Sequence, residues 1–303
     1  MKVLVTGATG LVGKEIVKML HAKGMFVHFL TTSKKKLQYS NKTKGFYWNP
    51  KKGEIDAACI EEVSAIIHLA GAPISKRWTS RYKKEILESR VLPLQMLYKL
   101  LQKNPNQVQS VVSASAVGVY PSSIEKYYSE DFMNFNDSFL TNVVKSWEES
   151  VDKFVDLNIR VCKLRIGLVL SSKGGVLPEI LNPLRLGLGI LFGSGQQWQS
   201  WIHIKDLARL FLFALENQIQ GVYNAVAPDP VTHKEFMLTL DLFKQKPLIV
   251  LQLPKFLMKL ILGEKYLLLY DSQRVSSVKI QQIGFQFQYV NLEDALNDLL
   301  NRN

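Results

Sequence analysis

Gly7, Gly10 and Gly13 stand three residues apart in residues 6–13 (TGATGLVG), a spacing that suits a phosphate cradle. In such a cradle the first glycine permits a tight turn, the second lets backbone approach a pyrophosphate, and the third lets a helix pack closely on a strand. The chemistry requires a strand before the glycines and a helix after them. Residues 2–5 are a β-branched, apolar run, and Leu11, Val12, Ile16, Val17 and Leu20 recur with helical period. The phosphates of a dinucleotide would meet the helix start at Thr9, Gly10, Leu11 and Val12, where free N–H groups and the helix dipole favour anions.

A second set of residues chooses between dinucleotides. An acid at the end of the second strand would bind an adenosine ribose 2′-hydroxyl, whereas a 2′-phosphate needs hydroxyls and cations. This chain has Thr31, Thr32, Ser33, Lys34, Lys35 and Lys36 there, and no acid. NADP(H) is therefore favoured over NAD(H). A third set, Leu69, Ala70 and Gly71, follows a buried run at residues 63–69, and its small side chains suit close approach of the dinucleotide.

These groups need elements to hold them. The first helix runs to about Ala22 and Gly24 ends it, and residues 26–32 form the second strand. Residues 42–53 (KTKGFYWNPKKG) read as a loop or edge hairpin, and residues 63–69 as a buried parallel strand. Residues 81–102 are helical by period, with Pro93 implying a kink or break. Residues 109–117 are a strand, 137–157 an amphipathic helix, and 160–170 a sixth core strand. Clustered glycines over 174–195 mark an excursion, residues 201–215 a helix, and 221–226 a returning strand. The rest, 229–303, is helical by pattern, with a short strand near 285–289.

Alternating strands and helices predict an α/β, Rossmann-type, doubly wound parallel sheet with a small, mostly helical C-terminal substrate lobe. The expected division assigns residues 1–170 and about 199–227 to the dinucleotide-binding domain. About 171–198 and 228–303 make the substrate side.

Composition narrows the partners. The chain of 303 residues carries 38 Lys and Arg against 26 Asp and Glu, a formal net charge of +12. The basic groups, such as Lys51-Lys52, Lys76-Arg77 and Lys83-Lys84, are spread over separate loops and helix faces without a nucleic-acid-binding signature. Nucleic acid is not an expected partner. Met1 leads directly into the first strand, and the apolar stretch 256–270 is broken by Lys259, Glu264 and Lys265, so a cytoplasmic chain without a membrane span is expected. Cys59 and Cys162, far apart and without neighbouring His, predict buried thiols and no metal site.

GATGLVG from Gly7, HLAGAP from His68, SASAV from Ser113, LRIGLVL from Leu164 and SWIHIKDL from Ser200 together resemble the extended and atypical short-chain dehydrogenase/reductases. WNP from Trp48, RWTSRYKKEILESRV from Arg77, GSGQQWQSWIH from Gly193, NAVAPDPV from Asn224 and SQRV from Ser272 resemble the "epimerase family protein" branch, similar to sugar-nucleotide epimerases and dehydratases with a C-terminal extension. The resemblance covers nearly the whole chain. It implies a dinucleotide site that also takes in Ser113, Ile166 and Lys145.

In the parent superfamily a Tyr-x-x-x-Lys pair relays the substrate proton. Four residues before Lys145 stands Thr141, four before Val144 stands Leu140, and the one pair with that spacing, Tyr47 and Lys51, encloses Pro50 in an early loop. The usual relay is absent. The resemblance then implies Ser115, Tyr120 and Lys145 as surviving catalytic candidates, and Arg77, Trp78, Arg90, Trp201 and Arg274 as substrate contacts. Arg77, Trp78 and Arg90 would suit an anionic or planar ligand. Asp206, after His203, is expected to cap or orient its helix.

Two functions follow as expectations. One is an NADP(H)-dependent epimerase or oxidoreductase acting on a sugar-nucleotide or carbonyl substrate; the other is a non-catalytic NADP(H)-binding sensor or scaffold. A monomer or a homodimer suits either.

Overall fold

The computed structural model describes residues 1–37, 39–40, 42–243 and 249–301. Seven parallel strands make the main sheet: β1 (Lys2–Thr6), β2 (Phe26–Thr31), β3 (Thr43–Asn49), β4 (Ala65–His68), β5 (Ser110–Ala116), β6 (Arg160–Ile166) and β7 (Gly221–Ala225). Their order is β7-β6-β5-β4-β1-β2-β3, with Tyr39–Ser40 added antiparallel at the β3 edge. Such strands are covered on both faces, which is why β1, β4 and β5 read as nearly unbroken runs of buried residues. Strand order reverses at β1, between β2 and β4, and the crevice at the carboxyl ends of a reversal is where an open α/β sheet binds its ligand.

The connecting helices are α1 (Leu11–Ala22), α2 (Ser80–Lys103), α3 (Phe139–Asp152) and α4 (Ile204–Glu216). α1 packs beside α4, and α2 beside α3. A large apolar core lies between sheet and helices, from Val3, Leu4 and Val5 to Phe211 and Leu215. A second cluster gathers Leu170, Leu177, Trp201, Phe236, Leu240 and Leu296 around the later elements. Cys59 and Cys162 are free and buried, and burial pushes both thiols up to about 12. No helix among the described residues is long and apolar enough to cross a membrane.

Several elements differ from the sequence reading, each for a local reason. Of the two readings of residues 42–53, the edge hairpin holds in part and the loop does not: β3 pairs in parallel with β2 and buries Phe46 and Trp48, and its end turns back as a hairpin onto Glu54–Ile55. α2 continues unbroken through Pro93. A proline inside a helix costs about 3 kcal/mol, and buried Leu94, Leu97 and Leu101, at roughly 1.5–3 kcal/mol each, outweigh it.

Residues 160–170 divide at Gly167. A Cβ there would lie 2.1 Å from the Ser200 carbonyl oxygen, so glycine permits the close crossing at which Leu168–Leu170 leaves the main sheet for Trp201–His203. Residues 201–203 are accordingly strand rather than the start of a helix, and His203 caps α4, its Nδ1 accepting from the Lys205 N–H at 3.1 Å.

Ile249–Leu253, expected to be helical, pairs in parallel with Leu188–Phe192. Conversely, residues 285–289 form no strand. The Gln288 and Tyr289 N–H groups donate to the buried Asp206 carboxylate at 3.0 and 2.8 Å, which takes the donors that a ladder would use.

Candidate functional site

The cradle follows from the backbone of the β1–α1 turn. Gly7 has φ +70°, a left-handed conformation that favours glycine, and its carbonyl accepts the Gly10 N–H at 2.9 Å. A Cβ on Gly13 would lie 2.2 Å from the Gly7 oxygen, so helix and strand can approach only through glycine. Gly10 caps α1 without a side-chain hydrogen bond, and no acid occupies the first turn. The helix start is thus electropositive and open, the condition a pyrophosphate requires.

Thr6 joins this turn to the neighbouring strand end. Its hydroxyl oxygen accepts the N–H groups of Leu69 and Ala70 at 3.0 and 3.1 Å and lies 2.9 Å from His68 Nδ1. With both acceptor positions used, the hydroxyl donates to Nδ1, and the His68 proton sits on Nε2. Burial, with the charge of Arg90, pushes His68 down to about 3, so the ring is neutral.

A cleft of about 510 Å³ opens from this point, lined by Gly7, Thr9, Ala70 and Gly71 on one side and by Thr31, Thr32, Ser33 and Lys36 on another. Tyr47 and Lys51 close it from β3 and its turn, and Glu85 and Glu88 face it from α2. Lys34 stands over the Tyr47 ring at 5.3 Å instead of lining the cleft. Lys51 was missed from sequence because residues 42–53 read as a loop or edge hairpin, without the parallel β2–β3 pairing that brings it across.

A second cleft, of about 230 Å³, lies at the ends of β5 and β6. Leu140, Val143, Val144 and Trp147 give it an apolar α3 wall, Ala116, Val117, Ile166 and Gly167 form its floor, and Trp198, Leu268, Leu269, Asp271 and Gln273 close it. The cleft face of α3 therefore carries Leu140 and Val144, four residues apart. Asp271, another residue missed from sequence, has its carboxyl raised by burial, against the opposing effects of Lys255 and Ser122.

Of the substrate candidates, Arg90 lines this cleft. Its Nη1 donates to the carbonyls of Ile86 and Ala72 at 2.9 and 3.3 Å, and its guanidinium lies over the Trp147 ring at 5.2 Å. Arg274 reaches the cleft only through Trp198, on which it stacks at 4.3 Å. Trp78 is buried, donating to the Ile74 carbonyl at 2.9 Å and packing edge-on to Phe139. Arg77 is exposed and lines neither cleft. Trp201 is fully buried and donates to the Asp229 carbonyl at 2.8 Å.

The catalytic candidates are placed away from both clefts. Lys145 is exposed on α3 and is not brought to either, because the helical period points Leu140, Val143, Val144 and Trp147 inward in its place. Ser113, expected at the dinucleotide rather than among the catalytic residues, is buried and donates to the Ala114 carbonyl at 2.9 Å. Ser115 and Tyr120 belong to an interior network. Ser115 Oγ donates to Glu148 Oε1 at 2.5 Å, and Arg165 grips both Glu148 oxygens at 2.9 Å. Arg165 Nη1 also donates to the Tyr120 hydroxyl at 3.0 Å, which in turn donates to Asn224 Oδ1 at 2.8 Å. Burial alone would raise Glu148, but the Arg165 hydrogen bonds and charge outweigh it and hold the carboxyl below its usual range. Burial raises the Tyr120 phenol despite Arg165. This network ties β5, α3, β6 and β7 together.

Comparison with known proteins identifies the family and the fold. Residues 3–225 match the model of the NAD dependent epimerase/dehydratase family, and residues 253–299 match a domain of unknown function, DUF1731. An epimerase family protein of Staphylococcus aureus is 36% identical over 300 residues, covering 99% of each chain. The crystal structure of the human epimerase family protein SDR39U1 with NADPH superposes with a TM-score of 0.84 at 29% identity, covering 100% of each chain. A Bacillus cereus UDP-glucuronic acid 4-epimerase, in complex with UDP-glucuronic acid and NAD, is 18% identical and shares the fold, with a TM-score of 0.80 over 99% of this chain and 98% of its own. With a family model spanning most of its length and a relative matched end to end, the chain belongs to the NAD dependent epimerase/dehydratase family and carries that second domain at its C-terminal end.

Proposed function

We propose that this protein binds NADP(H) in preference to NAD(H) and acts on a small molecule in the second cleft. The observation that carries this reading is the cradle at Gly7, Gly10 and Gly13, open to a cleft whose far wall presents Thr31, Thr32, Ser33, Lys36 and Lys51. A nicotinamide dinucleotide, when bound, supplies hydride exchange. The chain's own part is to hold the pyrophosphate on the α1 N-terminus, receive a 2′-phosphate between the β2 hydroxyls and two lysines, and exclude water from the apolar cleft. Human SDR39U1, solved with NADPH, supports the cofactor class.

A second reading has an observation of its own. The cleft face of α3 offers Leu140 and Val144 rather than a tyrosine and a lysine, which favours a sensor that binds the dinucleotide without turnover.

Titration of the protein with NADPH and NADH, followed by fluorescence, tests the first reading. NADPH is expected to bind at least tenfold more tightly, and Lys36→Glu with Lys51→Glu to remove the difference. Lys34→Glu, altering a side chain outside the cleft, is expected to act more weakly. Equal affinity for the two dinucleotides in the unaltered protein would refute the NADP(H) preference. NADPH consumption with a carbonyl or sugar-nucleotide pool would separate enzyme from sensor.

A further inference from the structure

The second cleft contains a cation, Arg90, that makes no ion pair among the described residues. Arg90 and Asp271 are its only charged lining residues among those described, and no ion pair or hydrogen bond among the described residues joins the two. The Arg90 guanidinium spends Nη1 on two backbone carbonyls and makes no ion pair with a carboxylate among the described residues. Gly71 makes room for it: a Cβ there would lie 3.2 Å from Arg90 Cζ. Burial lowers Arg90 to about 10, which leaves it charged at neutral pH. Beneath it lies the face of the Trp147 ring, 6% exposed. The Arg90 charge therefore sits beside an α3 wall made of Leu140, Val143, Val144 and Trp147. Buried donors and charges normally find partners, because leaving them unpaired costs free energy.

From this charge we infer that the second cleft takes a compact, largely apolar molecule bearing one carboxylate, with the anion held by Arg90. The inference rests on the reading of this cleft as the substrate site and names the substrate's chemical class. A sugar nucleotide fits poorly. Its diphosphate and hydroxyls need several donors, whereas this cleft has one cation, Arg90, and its polar side chains Gln199, Ser200 and Gln273 are engaged with His233 and with the Gln273 and Tyr120 carbonyls. Its volume of about 230 Å³ also falls below the roughly 300–1,000 Å³ common for small-molecule sites. A monocarboxylate with an apolar body matches both the charge and the walls.

The test uses 3-phenylpropionate, its alcohol 3-phenylpropanol, and UDP-glucose as probes, each titrated calorimetrically with and without saturating NADPH. The acid is expected to bind saturably and at least tenfold more tightly than the alcohol. Arg90→Gln should abolish that difference while changing NADPH affinity less than twofold, and Arg90→Lys should retain part of it. Equal binding of acid and alcohol, no saturable binding of the acid, or tighter binding of UDP-glucose would overturn the inference. So would a loss of NADPH affinity in Arg90→Gln, which would assign the arginine to the dinucleotide. If Arg90→Gln does not fold, the acid and alcohol comparison on the unaltered protein still decides. Failure of NADPH to bind the unaltered protein refutes the dinucleotide reading separately, and the titrations without cofactor still test the carboxylate site.

Discussion

Single residues carry the most exacting requirements. Gly13 and Gly24 are both glycines near α1, yet their surroundings differ. A Cβ on Gly13 would meet backbone at 2.2 Å, while one on Gly24 would meet nothing within 4 Å, leaving only the strain of φ +73°. Gly13→Ala is expected to lower stability by about 1–3 kcal/mol and to weaken NADPH binding at least tenfold. Gly24→Ala should cost about 1 kcal/mol and leave binding unchanged. Thermal melts and dinucleotide titration of the two variants check this.

His68 provides the pH prediction. Its folded pKa of about 3 lies well below the usual value of about 6.5. A depressed pKa contributes stability that is fully present above the unfolded value and is lost as pH falls towards the folded one. Between about pH 6 and 3 this group alone should lower stability with a slope of up to about 1.4 kcal/mol per pH unit. The His68 imidazole should remain neutral by NMR at pH 5; titration near 6.5 would contradict the buried Thr6–His68 arrangement.

At the scale of elements, caps and crossings explain where chain segments begin and part. α3 starts at Ser138, whose hydroxyl accepts the Thr141 N–H at 3.1 Å. Ser138→Ala should destabilise the protein by about 1 kcal/mol, seen as a lower Tm. Dinucleotide affinity should hold, because this end of α3 lies outside the cradle. α2 teaches a different lesson. Pro93 signals a break in any local reading, but burial of the surrounding leucines outweighs the missing hydrogen bond. The strand at 285–289 fails for the converse reason: Asp206, some eighty positions earlier, accepts the backbone N–H groups.

For the molecule as a whole, charge is the controlling quantity. A net charge of +12 accelerates arrival of an anionic dinucleotide at low ionic strength. Raising salt from about 0.1 M to about 1 M shortens the screening length from about 10 Å to about 3 Å. The association rate for NADPH should fall across that range, and, with the proposed placement of the extra phosphate beside Lys36 and Lys51, the proposed preference over NADH should narrow. Stopped-flow measurements at both salt concentrations check this, and a salt-independent preference would assign it to the β2 hydroxyls alone.

The sequence by itself determined the parallel α/β sheet, the glycine cradle and the absence of an acid after β2. All three are local: apolar runs specify buried strands, a three-residue glycine spacing specifies one turn, and a few side chains beside a strand end specify its chemistry. Only the tertiary structure decided which residues share a cleft. Lys51 reached the first cleft through strand pairing, Asp271 reached the second cleft from the C-terminal region, and helical period turned Lys145 outward while Leu140 and Val144 faced in. Ser115 and Tyr120 had residue types suited to catalysis, but Glu148 and Arg165, distant in sequence, drew them into an interior network. Cleft membership depends on contacts between remote segments, and hydrogen-bond partners depend on burial, so neither can be read from neighbours along the chain.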